Sequence, residues 1–355
     1  MTTQTRRKRF RAMLWSLLFI AVGAVALPAA SYLLAPAEAQ AQAQSQNAGG
    51  AEKNPRANFW RAVRTGESGY SAVAAGESGV FINNGGQNWR QMRNRIISAY
   101  GGWGILLALG AVLAYHLLHG RVALREARSG MTVPRWKTWE RALHWYTAAL
   151  FVVLALTGLS MLFGRLLLIP LLGAKGFSLW AAFSINTHNI IGPFFSLGVL
   201  AMLVCWVKNN IPNATDMQWL RAGGGLFGDK HPSAGKANAG EKIWFWIVIF
   251  VGLIAVCATG LALIGWLGLE SRGAMQSMHQ IHAIAALLWI AVFFGHAYIG
   301  TLGTEGALEG MTSGRVSVEW AKQHHDLWYA QVKNQAARDE GGGAKAHAAK
   351  TASAH

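Results

Sequence analysis

Four of the twelve histidines fall in or at the edge of long apolar runs: His144, His188, His282 and His296. An ionisable side chain in such a place is costly and by default marks a functional site. His282 and His296 stand fourteen residues apart on one run. On a helix that is about four turns and roughly 21 Å, so both project to the same side at two depths. Chain direction then pairs the others by depth: His188 reaches the level of His282, and His144 that of His296. Two imidazole pairs inside an apolar bundle suit haem b, a flat macrocycle that slots between helices and takes one imidazole on each face of its iron. With both axial positions filled, the iron carries electrons and keeps no open position for oxygen chemistry. Zinc competes, but it wants four ligands and the runs offer no third or fourth at either depth. Taken singly, each histidine has plainer readings, as an interhelical hydrogen-bonding group or an interfacial one. Gly158, Gly192, Gly260 and Gly295 lie near these histidines and would admit a macrocycle to the backbone; ordinary small-residue packing accounts for them equally.

The elements that must hold these residues are membrane helices. The 355 residues are 52% hydrophobic and 14% charged, against about 25% charged in an ordinary soluble domain. A formal charge of +16 raises nucleic acid as a partner, but the basic residues sit in short clusters between apolar runs and form no stripe, so membrane topology explains them better. Cys205 and Cys257 lie inside apolar runs without metal-ligand spacing, so no disulfide framework or iron–sulfur site is indicated.

Runs of about 20 apolar residues suffice to cross the hydrocarbon. After Arg6-Arg7-Lys8-Arg9 comes one from Met13 to about Leu34, with an Ala-x-Ala pattern near Ala37 to Ala41. Residues 1–41 are therefore a signal peptide or an N-terminal anchor. Residues 42–95 form a polar, Gly- and Asn-rich periplasmic segment in which Gly66-Glu67-Ser68-Gly69 recurs as Gly76-Glu77-Ser78-Gly79, read as surface turns. Five spans follow at about 96–118, 145–163, 189–207, 243–267 and 281–303. Residues 96–138 make an additional helix and loop, 139–303 a four-helix domain and 304–355 a cytoplasmic tail. The connections 120–142 and 208–242 are rich in Arg and Lys, while 164–187 and 268–280 are poor, which places the former in the cytoplasm. His116, His119 and His279 read as interfacial, His324 and His325 as part of the polar tail, and His231, His347 and His355 carry no signal. Asn238 reads as an N-cap with Gly240 in the turn.

From Trp139 to Tyr329 the sequence resembles the gamma, or cytochrome b556, subunits of respiratory formate dehydrogenases in their N-terminally extended form. The strings that carry this are Arg141-Ala142-Leu143-His144-Trp145, Asn186-Thr187-His188, Lys208-Asn209-Asn210-Ile211-Pro212, Asn238-Ala239-Gly240-Glu241-Lys242, Ile281-His282-Ala283, Gly295-His296-Ala297-Tyr298 and Trp320-Ala321-Lys322-Gln323-His324-His325. The family's short form has four spans, and Asn189 stands where it has a proline.

The resemblance implies an all-α integral membrane bundle: a four-helix di-haem cytochrome b core plus one or two extra N-terminal spans. It implies an inner haem on the residues matching His144 and His296, an outer haem on those matching His188 and His282, and a quinone pocket at those matching Asn238 and Gly240. It also implies a bacterial inner-membrane location and a cytoplasmic C-terminus. The implied partners are an iron–sulfur beta subunit and a molybdenum or tungsten catalytic alpha subunit; this chain would reduce quinone, menaquinone or ubiquinone, but oxidise no formate. The rivals are the cytochrome b of a nickel–iron hydrogenase or another molybdenum oxidoreductase, and a haem-free membrane anchor.

Overall fold

The computed structural model describes residue 61 and residues 86–225, 232–269 and 271–338. The expected leader or anchor, most of the segment 42–95 with its repeated glycine strings, and His231, His347 and His355 lie outside them. Five of the described helices are long and apolar enough to cross a membrane: α1 (Asn88–His119), α2 (Thr138–Leu167), α3 (Ile169–Asn210), α5 (Ala239–Leu263) and α6 (Arg272–Gly303). The short helix α4 (Ala214–Arg221) precedes α5. Leu107, Leu156, Leu197 and Val204 lie exposed on these helices, a surface suited to lipid and not to water. The chain is an all-α, multi-pass membrane helix bundle.

All five helices start before the apolar runs and α1, α2 and α3 also end after them, because apolarity marks the hydrocarbon layer while the backbone ladder continues through polar flanks; α5 instead stops at Leu263, short of the 267 read from the sequence. The end of the segment 42–95, expected to lie outside the membrane, carries Arg90, Arg93 and Arg95 and is part of α1, whose stretch Met92–Ile97 is a π-turn. His188 does not begin its helix; α3 starts at Ile169, with a break where Gly173 takes φ +67° and ψ 172°. That left-handed conformation is open to glycine at no steric cost.

Contacts divide the chain into two units. One takes residues up to 106 with 154–190 and 260–284; the other takes 107–153, 191–259 and the chain from 285 onward. In the first, Arg93 Nη2 donates to the Met161 carbonyl at 3.2 Å, and Gly102 leaves room for the Phe163 ring. In the second, Phe151 packs at 5.0 Å from Trp289 and 4.8 Å from Phe293, with Phe195 5.6 Å from Trp289. Gly252 is required there, since a Cβ would fall 2.5 Å from the Trp289 ring.

The tail is folded, which the sequence did not suggest. Strand β1 (Met131–Pro134) pairs antiparallel with β2 (Arg315–Ser317) and β3 (Ala337–Arg338), with Val133 opposite Val316. Helices α7 (Ala307–Thr312), α8 (Val318–His324) and α9 (Asp326–Val332) complete the layer. Its core is Val133, Val316, Val318, Trp320, Ala321 and Trp328. Asp326 accepts from Ser233 Oγ at 2.7 Å and from the Ala234 N–H at 2.9 Å, so all three basic segments of the second unit meet in this layer.

At its centre Arg135, with 3% of its side chain exposed, pairs with Glu241 at 3.0 Å. Its guanidinium carbon lies 4.7 Å from the Trp320 ring centroid and 5.3 Å from that of Trp328, a cation–π arrangement. Arg135 Nη2 also donates to His325 Nε2 at 3.2 Å, so His325 is neutral and its Nδ1–H donates to the Gly235 carbonyl at 2.8 Å.

Burial first, and the Arg135 charge second, hold the His325 pKa well below the ordinary imidazole value. The unfolded histidine takes a proton near pH 6.5 and the folded one does not. This contribution to stability is full above about pH 6.5 and is lost as pH falls towards the folded pKa. Thermal unfolding of the layer, followed by tryptophan fluorescence, is expected to move to lower temperature from pH 7 to pH 5, with a flatter profile in His325→Gln. A wild-type profile as flat as the variant's would refute the neutral, buried assignment.

Candidate functional site

In the first unit the His188 and His282 rings face each other with centroids 6.1 Å apart. His188 comes from α3 and His282 from α6. Thr157 on α2 sets the first ring: its hydroxyl donates to the Leu154 carbonyl at 3.1 Å and lies 2.9 Å from His188 Nδ1. One hydroxyl carries one proton, so Nδ1–H is the donor to Thr157 and Nε2 keeps its lone pair for a metal. Glycines back both rings. A Cβ at Gly158 would lie 3.3 Å from His188 Cε1, and one at Gly260 would lie 3.3 Å from His282 Cε1.

In the second unit His144 and His296 are 6.2 Å apart by centroid. The His296 ring is stacked on Trp244 at 4.5 Å and 10°, which fixes its plane. His144 Nδ1 is buried without a hydrogen-bond partner among the described residues. Trp244 belongs to α5, whose first turn is locked by a capping box: Asn238 Oδ1 accepts the Glu241 N–H at 2.9 Å, and Glu241 accepts the Asn238 N–H at 3.0 Å. Glu241 is also the partner of Arg135, so the tail layer anchors the turn that carries Asn238. The capping role of Asn238 is as read. Gly240, read as a turn residue, is instead inside the helix, where a Cβ would lie 3.0 Å from the Trp219 ring.

The pairing by depth thus corresponds to two real juxtapositions. A metal-bound imidazole nitrogen sits about 2.0 Å from the ion and its ring centre about 1.1 Å further, so two imidazoles on opposite faces of one ion have centroids about 6.2 Å apart. Both pairs have that separation. Among the described residues no group of three or more His, Cys, Asp or Glu gathers, so each histidine pair could supply two ligands to a metal, and a macrocycle would bring the remaining donors. Gly192 and Gly295 have open space on the side where a Cβ would stand. The residues present fit haem.

Residues 135–314 match the family model described as prokaryotic cytochrome b561. This chain belongs to the prokaryotic cytochrome b561 family. All four histidines fall within the matched residues, and a cytochrome of this kind carries haem b. Among curated relatives, this cytochrome is 31% identical over 228 residues to the nitrate-inducible formate dehydrogenase cytochrome b556(Fdn) subunit of Escherichia coli K12, covering 60% of this chain and 97% of that one. It is 26% identical over 205 residues to the formate dehydrogenase cytochrome b556(fdo) subunit of the same strain, covering 57% and 94%. The formate dehydrogenase cytochrome b556 subunit of Haemophilus influenzae is 27% identical over 214 residues, covering 58% and 86%. Helix α1 precedes the matched residues.

Sequence reasoning missed Thr157 and Trp244. Each acts through a histidine on another helix, and nothing in its own neighbourhood marks it. His116, read as interfacial, bonds to Tyr298 Oη at 3.0 Å, and that hydroxyl donates to the Gly120 carbonyl at 3.1 Å. Of the two cysteines, both free, Cys257 is buried and Cys205 exposed.

Proposed function

We propose that this cytochrome is the electron-carrying, quinone-reducing subunit of a formate dehydrogenase in the bacterial inner membrane, with two haem b groups and a cytoplasmic C-terminus. The observation that carries the proposal is the presence of two imidazole pairs at 6.1 and 6.2 Å in a chain whose relatives are formate dehydrogenase b556 subunits. When bound, each haem b supplies a one-electron carrier. His188 and His282 hold the outer group and His144 and His296 the inner one. Thr157 fixes the tautomer of His188, and Trp244 the plane of His296. Formate oxidation belongs to a molybdenum or tungsten alpha subunit outside the membrane, and an iron–sulfur beta subunit delivers electrons to the outer side. The clustering of the basic segments in one layer supports its cytoplasmic placement.

Quinone is bound at the start of α5. Asn238 Oδ1 is committed to the cap, which leaves the side-chain NH2 to donate to a quinone carbonyl. Gly240 and Trp219 shape the space beside it. Asn238→Ala, and Asn238→Asp, which retains a capping oxygen but loses the donor, are expected to keep both haems and slow quinone-dependent reoxidation of the reduced protein roughly tenfold, the equivalent of about 1.4 kcal/mol. Unchanged reoxidation in both variants would leave Asn238 as a cap only.

A further inference from the structure

The outer end of α1 brings a second set of polar groups to the His188–His282 site. Trp89 and Arg93 are one turn apart on α1, and the Trp89 ring meets His279 edge-on at 5.5 Å. His279 lies one turn before His282 on α6, about 4.5 Å along the axis. Trp89 Nε1 and His279 Nδ1 are both buried with no hydrogen-bond partner among the described residues. The partly buried Arg93 guanidinium, one turn from Trp89, spends one N–H on the Met161 carbonyl at 3.2 Å and one on Asn94 Oδ1 at 2.8 Å. Indole and guanidinium are donors only, and guanidinium carries five N–H groups. The cluster is therefore a convergence of donors with too few acceptors, next to an axial histidine. Left so, it would be an unsatisfied buried polar group of the kind folded proteins avoid.

We propose that Trp89, Arg93 and His279 bind the propionate carboxylates of the haem held by His188 and His282. Haem b has two polar peripheral groups, both carboxylates, and an ionised carboxylate is the acceptor that a guanidinium and two N–H donors lack. His279, in its Nδ1–H form, and Arg93 would approach from two helices and clamp the edge of the macrocycle. Helix α1, which lies before the residues matched to the family, thereby acquires a role in the cofactor site and not only in packing. The inference rests on the haem assignment above.

The test is resonance Raman spectroscopy of the purified cytochrome, in which the propionate bending bands report hydrogen bonding to the carboxylates, together with redox titration of both haems. Arg93→Gln and Trp89→Phe are expected to shift the propionate bands of one haem and leave the other's in place. Arg93→Gln should also lower one of the two midpoint potentials, because removing a cation favours the ferric state, and Arg93→Lys should restore it in part. The affected haem is identified by its loss in His282→Ala. Unchanged bands in Arg93→Gln and Trp89→Phe with two haems bound would overturn the proposal, as would equal shifts in both haems. If Arg93→Gln loses the outer haem altogether, Arg93→Lys decides: retention of that haem supports the clamp and its loss overturns it. A wild-type protein without haem would instead refute the haem assignment itself.

Discussion

His282→Ala and His296→Ala are each expected to lower the haem-to-protein ratio of the purified cytochrome from two to one. His282 faces His188 at 6.1 Å and His296 faces His144 at 6.2 Å between ring centroids. The two pairs belong to different contact units, so removing one ligand leaves the other pair's surroundings intact. The surviving haem should differ between the two variants, and the difference should be visible as two distinct midpoint potentials. Haem extraction as the pyridine complex, set against protein concentration, measures the ratio. Ratios that stay at two in both variants would remove these residues from the ligand set.

A second large effect is expected from residues that touch no metal. Gly158 and Gly260 back the His188 and His282 rings so closely that a Cβ would stand 3.3 Å from each Cε1. At that distance alanine asks the ring to give by a few tenths of an ångström, and leucine asks for a displacement the site cannot supply. Overpacking of this kind costs about 1 to 3 kcal/mol in a well-packed interior. Gly260→Ala should therefore lower occupancy of the outer haem modestly, and Gly260→Leu should abolish it while the inner haem remains. Gly104→Ala is the control, because a Cβ there meets nothing within 4 Å. Equal haem content in Gly260→Leu and the wild type would show that the His282 ring does not need its present position.

The parts legible in the sequence were those written locally. An imidazole inside an apolar run is costly wherever the run folds, and a fourteen-residue spacing puts His282 and His296 on one face without reference to anything else. The cap at Asn238 was legible for the same reason, since Asn238 and Glu241 lie in one turn. The ends of the helices were not, because the apolar run records the hydrocarbon layer and α1 and α3 continue past it. Nor was the layer formed by the tail: Val133 pairs with Val316, 183 residues further along the chain, and the buried Arg135 reads in the sequence as one more cytoplasmic cation. Thr157 and Trp244 were invisible on the same ground, their partners being His188 and His296 on other helices. The alternation of basic and apolar segments assigned 120–142, 208–242 and the tail to one side of the membrane, because charge placement is a property of whole segments, but it gave no sign that they would pack into one layer.

The central claim is that this one chain holds two haem b groups, each between two histidines. The most direct measurement is the haem content of the purified chain combined with low-temperature electron paramagnetic resonance of its oxidised form. Two haem b per chain, both giving low-spin ferric signals, is the result expected when both axial positions of each iron are filled by imidazole. A chain with no haem, a single haem, or a high-spin ferric signal from an iron with an open position would contradict it.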